Sequence, residues 1–321
     1  MNKIDVDIKT SKNILAFSAG VDSTALFFIL LDNNIPFDIA IVDYGQRPQS
    51  KDEVIYATQL AHKYKKKCFI KQYDKNRFSE KDAREFRYEF FEEIINNNSY
   101  DALITAHQLN DKLEWFLMQF TKGAGIHELM GMDKVSEKNG ITLLKPLLDY
   151  SKNELLYYLK EHKIKYFIDE TNKDEKYRRN FFRHNFSDKL LDNFQSGIQK
   201  SFEYIQKDRE SLLCSISETR DNELVIFNFN NDFNIAINII DKELKKRGVI
   251  ISKATRDEII RQKQIVISNK ISVAIANGKI YIAPFIKAAM DKKFKERCRV
   301  NNIPSNIRSY LSTLPHFRFS D

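Results

Sequence analysis

The sequence predicts an α/β chain, a doubly wound parallel sheet followed by a smaller C-terminal α+β domain. In the first part, short apolar runs alternate with helical stretches, the pattern of a sheet buried on both faces. The first of those runs turns through small residues straight into a helix. Near the other end, Asn277-Gly278 lies between two alternating apolar runs, which marks an antiparallel hairpin with a two-residue turn.

In order, Ile14 to Phe17 is the first strand, and the helix that follows carries Leu26, Ile29 and Leu30 at spacings of three and four. Phe37 to Val42 is a strand ending at Asp43. Asp52 to Tyr64 is a helix with Val54, Ala57, Leu60 and Ala61 on one face. Cys68 to Ile70 is a third strand, Glu80 to Asn96 a longer helix, Asp101 to Ala106 a fourth strand, and Asn110 to Phe120 a helix again. In such a sheet ligands bind beyond the carboxyl ends of the strands, where consecutive crossovers diverge. The residues just after each strand are therefore the candidates.

After the first strand comes Ser18-Ala19-Gly20-Val21-Asp22-Ser23. A strand that turns this way into a helix aims backbone N–H groups and the positive helix end at one spot, which suits an anion. Asp22 would repel a phosphate unless a cation lay between them, which points to a nucleotide carried with Mg2+. A plain strand–turn–helix with Asp22 or Ser23 as a cap is the structural alternative. Ala19 costs nothing at negative φ and adds strain at positive φ. After the second strand lie Asp43 and Arg47, and after the fourth His107, Asn110, Asp111 and Glu114. Asp111 and Glu114, three apart, share a helix face, and Asp111 in the first turn suits the dipole.

The chain has 321 residues, enough for two domains, and its 24 Phe and 14 Tyr supply a core. A net charge of +8, from 52 basic against 44 acidic residues, fits an acidic partner such as nucleic acid. Cys68, Cys214 and Cys298 lie far apart with no CxxC pair, which argues against a zinc or iron–sulfur site. The N-terminus lacks the apolar core of a signal peptide, and no apolar run is long enough to span a bilayer. A cytoplasmic protein without membrane contact is expected, with a homodimer left open.

The blocks SAGVDS, VDYGQRPQS, AREFRYEF, TAHQLNDKLEWFLMQFTKGAGIHELMGM, KPLLDYSKNELLYYL and DETNKDEKYRRNFFRH follow one another in this order. Together they resemble the tRNA(Ile)-lysidine synthetase family of PP-loop ATP pyrophosphatases over residues 13 to 190. The family's usual forms are close to SGGxDS, VDHGLRxES, AREARY, HHxDDQxET…RGxGxxGLxGM, RPLL and NxDxxxxRNxIRH. Ala19, Tyr44, Gln108, Asn110 and Lys122 depart from them, and Asn110 removes a carboxylate.

The resemblance implies an adenine nucleotide α hydrolase-like fold and a two-step reaction. The wobble cytidine of a tRNA(Ile) with a CAU anticodon attacks ATP and releases pyrophosphate, and free L-lysine then displaces AMP. Implied ATP contacts are Ser18, Ala19, Gly20, Val21, Asp22, Ser23, Asp43 and His107, with Asp22, Ser23 and Asp111 catalytic. Asp22 and Asp111 are the implied Mg2+ ligands. Asp111 and Glu114 would hold the ammonium of lysine and Arg84 (or Arg87) its carboxylate, with Asp111 undivided between lysine and metal. Arg47, Arg179 and Arg183 are the implied tRNA or phosphate contacts. A PP-loop tRNA thiolase is the nearest rival, although that chemistry usually needs paired cysteines; a non-catalytic RNA-binding module is the rival from another class.

The expected organisation is a PP-loop catalytic domain at 1–192, a helical linker at 193–220 and a tRNA-contacting domain at 221–321. In the last part, Asn222 to Phe229 reads as a strand, Asp232 to Arg247 and Thr255 to Gln264 as helices, and Ile271 to Phe285 as the hairpin. Pro304 and Pro315 punctuate an irregular tail.

Overall fold

The computed structural model describes residues 8, 12–45, 48–73, 79–168, 178–213, 216–229 and 232–314. The chain divides into two compact units, Met1–Ile205 and Gln206–Asp321.

In the first unit, β1 (Asn13–Ala16), β2 (Phe37–Asp43), β3 (Cys68–Gln72) and β4 (Ala102–Ile104) pair in parallel. They alternate with α1 (Val21–Asp32), α2 (Gln49–Lys63) and α3 (Glu80–Asn98), and α4 (Leu109–Phe120) follows β4. Beyond the short α5 (Ile126–Leu129), β5 (Val135–Lys138) and β6 (Ile141–Leu144) complete a six-stranded sheet of order β3-β2-β1-β4-β6-β5. Only β5, at the edge, runs antiparallel to its neighbour.

Alternate strand residues enter opposite cores, as a period of two requires. Leu15, Ile39, Ile41 and Ile104 join the helices α1, α2 and α6 (Lys152–Glu161) on one face. Ile14, Ala40 and Leu103 join Phe90, Phe91 and Ile94 of α3 on the other. The strand order reverses between β1 and β4, so the loops leaving those two strands flank the switch point.

The sequence reading missed the β5–β6 hairpin, although its turn is Asn139-Gly140, at φ of 52° and 76°. Two central residues with positive φ are what a tight hairpin turn demands. Further on come α7 (Arg178–Phe182), a π-helical turn (Arg183–Ser187) and α8 (Asp188–Leu213). The stretch expected as helical to residue 220 is helical only to Leu213, and Ser217–Asp221 is a strand, β7. Its exposed side chains lack the apolar alternation that would have signalled it.

The second unit is a five-stranded antiparallel sheet of order β7-β8-β11-β10-β9, made with β8 (Leu224–Asn228), β9 (Gln264–Ile267), β10 (Ile271–Ala276) and β11 (Lys279–Pro284). Asn277 and Gly278 form the expected turn, both at positive φ. Helices α9 (Phe233–Lys246) and α10 (Lys253–Gln262) cover one face through Ile240, Leu244 and Ile259. As far as residue 314 the tail is not irregular: α11 (Lys292–Val300) and α12 (Ser305–Leu311) cover the other face through Cys298, Ile307 and Leu311, while Pro315 lies outside the described residues. Pro304 stands at the N-terminus of α12, where its missing N–H costs nothing. Among the described residues, no helix is long and apolar enough to cross a membrane.

Candidate active site at the sheet switch point

The loop after β1 is held from three sides. Ser18 N–H donates to Ser23 Oγ at 3.2 Å, and the two hydroxyls lie 3.0 Å apart. Phe167 N–H donates to Ala19 O at 2.9 Å, and Ser23 is buried. Ser23 therefore shapes the loop, while Ser18 is exposed. Ala19 adopts φ of 58°, the strained alternative, and its methyl group is fully buried in the core under α1. Gly20 begins α1 with no side-chain cap, which leaves first-turn N–H groups for an anion.

Asp22, in that first turn, is half-buried, and its Oδ1 has no hydrogen-bond partner. Burial, and next the charge of Asp111, push its carboxyl up to about 7, against the opposing charges of Lys152 and Arg183. Lys152 begins α6 and was not foreseen, because only the fold brings it near Asp22. A carboxylate held short of partners beside a second carboxylate fits a cation. Among the described residues, however, no group of three or more His, Cys, Asp and Glu is arranged to hold a metal.

Across the switch point, Gln108 caps α4. Asn110 N–H donates to its Oε1 at 2.5 Å, and Gln108 N–H donates to Asp111 Oδ2 at 3.1 Å. The Gln-x-x-Asp spacing was a legible signal for this reciprocal cap. Asp111 is thus a helix-capping group, though a buried one, and its other oxygen faces the arginines. Arg179 donates to Asp111 Oδ1 at 2.5 Å and to Glu114 Oε2 at 2.8 Å. Arg183 donates to Glu114 Oε1 at 2.6 Å and lies 3.6 Å from Asp111.

The sequence placed these four side chains in two separate groups; the fold joins them into one neutral quartet. Burial pushes the Glu114 carboxyl up, as does Asp111. At Asp111 burial acts the same way, but Arg179 and His107 outweigh it and hold that carboxyl low. Both arginines are correspondingly held more firmly charged by the acids.

His107 shares a hydrogen bond of 2.9 Å with Thr105 Oγ1 through Nδ1. Burial lowers it to about 4, so the ring is neutral near pH 7. Arg84 is exposed on α3, its guanidinium 5.4 Å from the Tyr88 ring, and its charge is felt at His107. Asp43, at the end of β2, accepts from Gly45 N–H at 2.9 Å. The Val21 side chain packs against the core. Arg47 lies outside the described residues.

Gly131 closes a turn, its N–H donating to Glu128 O at 3.3 Å, and also permits a close approach. A Cβ there would stand 2.8 Å from Trp115 Nε1, which donates to Glu128 O.

Residues 1–190 match the PP-loop domain family. The tRNA(Ile)-lysidine synthase of Campylobacter jejuni strain RM1221 is 40% identical over 306 residues, covering 95% of this chain and 93% of that protein. The tRNA(Ile)-lysidine synthase of Helicobacter pylori strain 26695 is 37% identical over 313 residues, covering 95% of this chain and 90% of that protein. Among solved structures, the U34-tRNA thiolase of Methanococcus maripaludis superposes with a TM-score of 0.50 at 16% identity, covering 64% of this chain and 74% of that one. At that identity the likeness concerns the fold alone. The chain belongs to the tRNA(Ile)-lysidine synthase family, with an N-terminal PP-loop domain.

Proposed function

We propose that this protein joins free L-lysine to the wobble cytidine of a tRNA(Ile) with a CAU anticodon, consuming ATP and releasing AMP and pyrophosphate. One observation carries the proposal: the likeness to relatives of that name runs through both units, over 95% of the chain. A thiolase is not favoured, because Cys68 and Cys298 lie on different units and the sequence has no CxxC pair.

The open first turn of α1 and the exposed Ser18 hydroxyl hold the phosphates of ATP. Asp22, with its unpartnered Oδ1, would hold Mg2+ there. When bound, Mg2+ would supply positive charge against the charge that develops on the departing pyrophosphate. No side chain has to form a covalent bond, because the cytidine oxygen and then the lysine amine attack.

The ammonium of lysine goes to Asp111 and Glu114. Because the quartet is already neutral, an added cation displaces an arginine. Arg179, 37% exposed against 15% for Arg183, is the one free to move, and it is then available to a phosphate. Neutral His107 serves as a hydrogen-bonding group at the nucleotide. Asp43 closes the ATP side, and Arg84 meets the lysine carboxylate.

The test measures AMP and pyrophosphate release with tRNA, ATP and Mg2+, with and without lysine. Lysine-dependent AMP release is expected. Pyrophosphate release that no amine stimulates would contradict the proposed second step.

A further inference from the structure

Asn110 stands where the family resemblance places a carboxylate, yet it is buried and both ends of its amide are taken. Its Nδ2 donates to Asp188 Oδ1 at 2.8 Å, on the first residue of α8. Its Oδ1 accepts from the Lys152 backbone N–H at 3.1 Å, on the first residue of α6. The second oxygen of Asp188 lies 3.9 Å from His184 Nδ1 in the π-helical turn. Each element joined here carries site charge: α4 has Asp111 and Glu114, α6 has Lys152, and the segment leading into α8 has Arg179 and Arg183.

A planar amide donates to a carboxylate and accepts from a backbone N–H with one side chain. A carboxylate at 110 could still accept from Lys152, but it would face Asp188 as a like charge. We propose that Asn110 and Asp188 form a positioning joint, in which an amide on α4 and a carboxylate on α8 fix Asp111 and Glu114 against the arginines opposite. The pair's polarity is then interchangeable. What matters is that one partner donates and the other is charged.

The test is an exchange: Asn110→Asp, Asp188→Asn and the double variant of the full-length protein. For Asn110→Asp, the KM for lysine rises roughly tenfold while kcat changes less than about threefold, a split that general destabilisation would not produce. Its Tm falls by about 5 °C, and the double variant recovers most of both losses. An unchanged KM for Asn110→Asp, or a double variant no better than that single, overturns the joint.

The kinetic arm rests on the lysine-ligating reaction proposed above. Should the unsubstituted protein show no lysine-dependent turnover, that reaction fails, and the Tm cycle decides the joint by itself. Recovery in the double variant keeps it, and additive losses remove it.

Discussion

Asp22 is the residue on which burial and function pull hardest against each other. Its carboxyl titrates near 7 in the folded chain against an ordinary 3.8, so the folded state holds the proton more tightly than the unfolded one. Stability from this group is therefore complete below about pH 4 and is lost as the pH rises through 7. Asp22→Asn removes that loss. Without Mg2+, the variant gains on the parent by about 1–3 kcal/mol between pH 5 and pH 8, read from urea unfolding. The same substitution lowers pyrophosphate release by about 100-fold or more, since the carboxylate proposed to hold Mg2+ against the developing charge is gone.

Glu114→Gln keeps the shape and removes the charge. It raises the lysine requirement roughly tenfold, seen as KM for lysine, while tRNA-dependent pyrophosphate release stays within about threefold. A normal lysine response would take Glu114 out of the lysine site. At Ala19, opposing effects nearly cancel. Its φ of 58° costs about 1 kcal/mol or more, whereas glycine would forfeit a buried methyl group worth about 0.8 kcal/mol and gain unfolded-state entropy. Ala19→Gly thus leaves thermal stability within about 1 kcal/mol of the parent.

Among the elements, the alternation of strand and helix was legible because β1, β2 and β4 are buried on both faces and read as continuous apolar runs. The first-turn position of Asp111 and its shared face with Glu114 were legible for the same periodic reasons. Their pairing with Arg179 and Arg183 was not, because the contact spans 65 to 69 residues along the chain. Strand β7 escaped because its exposed residues are polar throughout, and β5–β6 because its signal lay in the Asn139-Gly140 turn rather than in β5.

Gly131 illustrates a further limit. The sequence shows a glycine but not the indole that crosses it. Gly131→Ala puts a methyl group against Trp115 and the Glu128 carbonyl, and costs about 1–3 kcal/mol in urea unfolding. An unaltered midpoint would mean that Trp115 moves aside freely.

For the whole molecule, the two sheets differ in strand direction and in what they carry. The parallel sheet gathers the uncapped first turn of α1, acids and arginines at one switch point. The antiparallel unit is covered by α9 and α10 on one face and by α11 and α12 on the other, and α11 presents Lys292, Lys293 and Lys295 to solvent. With a net charge of +8 the chain favours an RNA partner. Its KM for tRNA should rise about tenfold or more between 50 and 200 mM salt, as expected where phosphate contacts release counterions.

The most direct test is incorporation of radiolabelled lysine into tRNA in the presence of ATP and Mg2+. The isoleucine tRNA with a CAU anticodon is compared with a variant whose wobble cytidine is replaced. Label entering only the cytidine-bearing tRNA, and only with ATP, is the predicted result. Label in both tRNAs, or in neither while the protein remains folded, would contradict it.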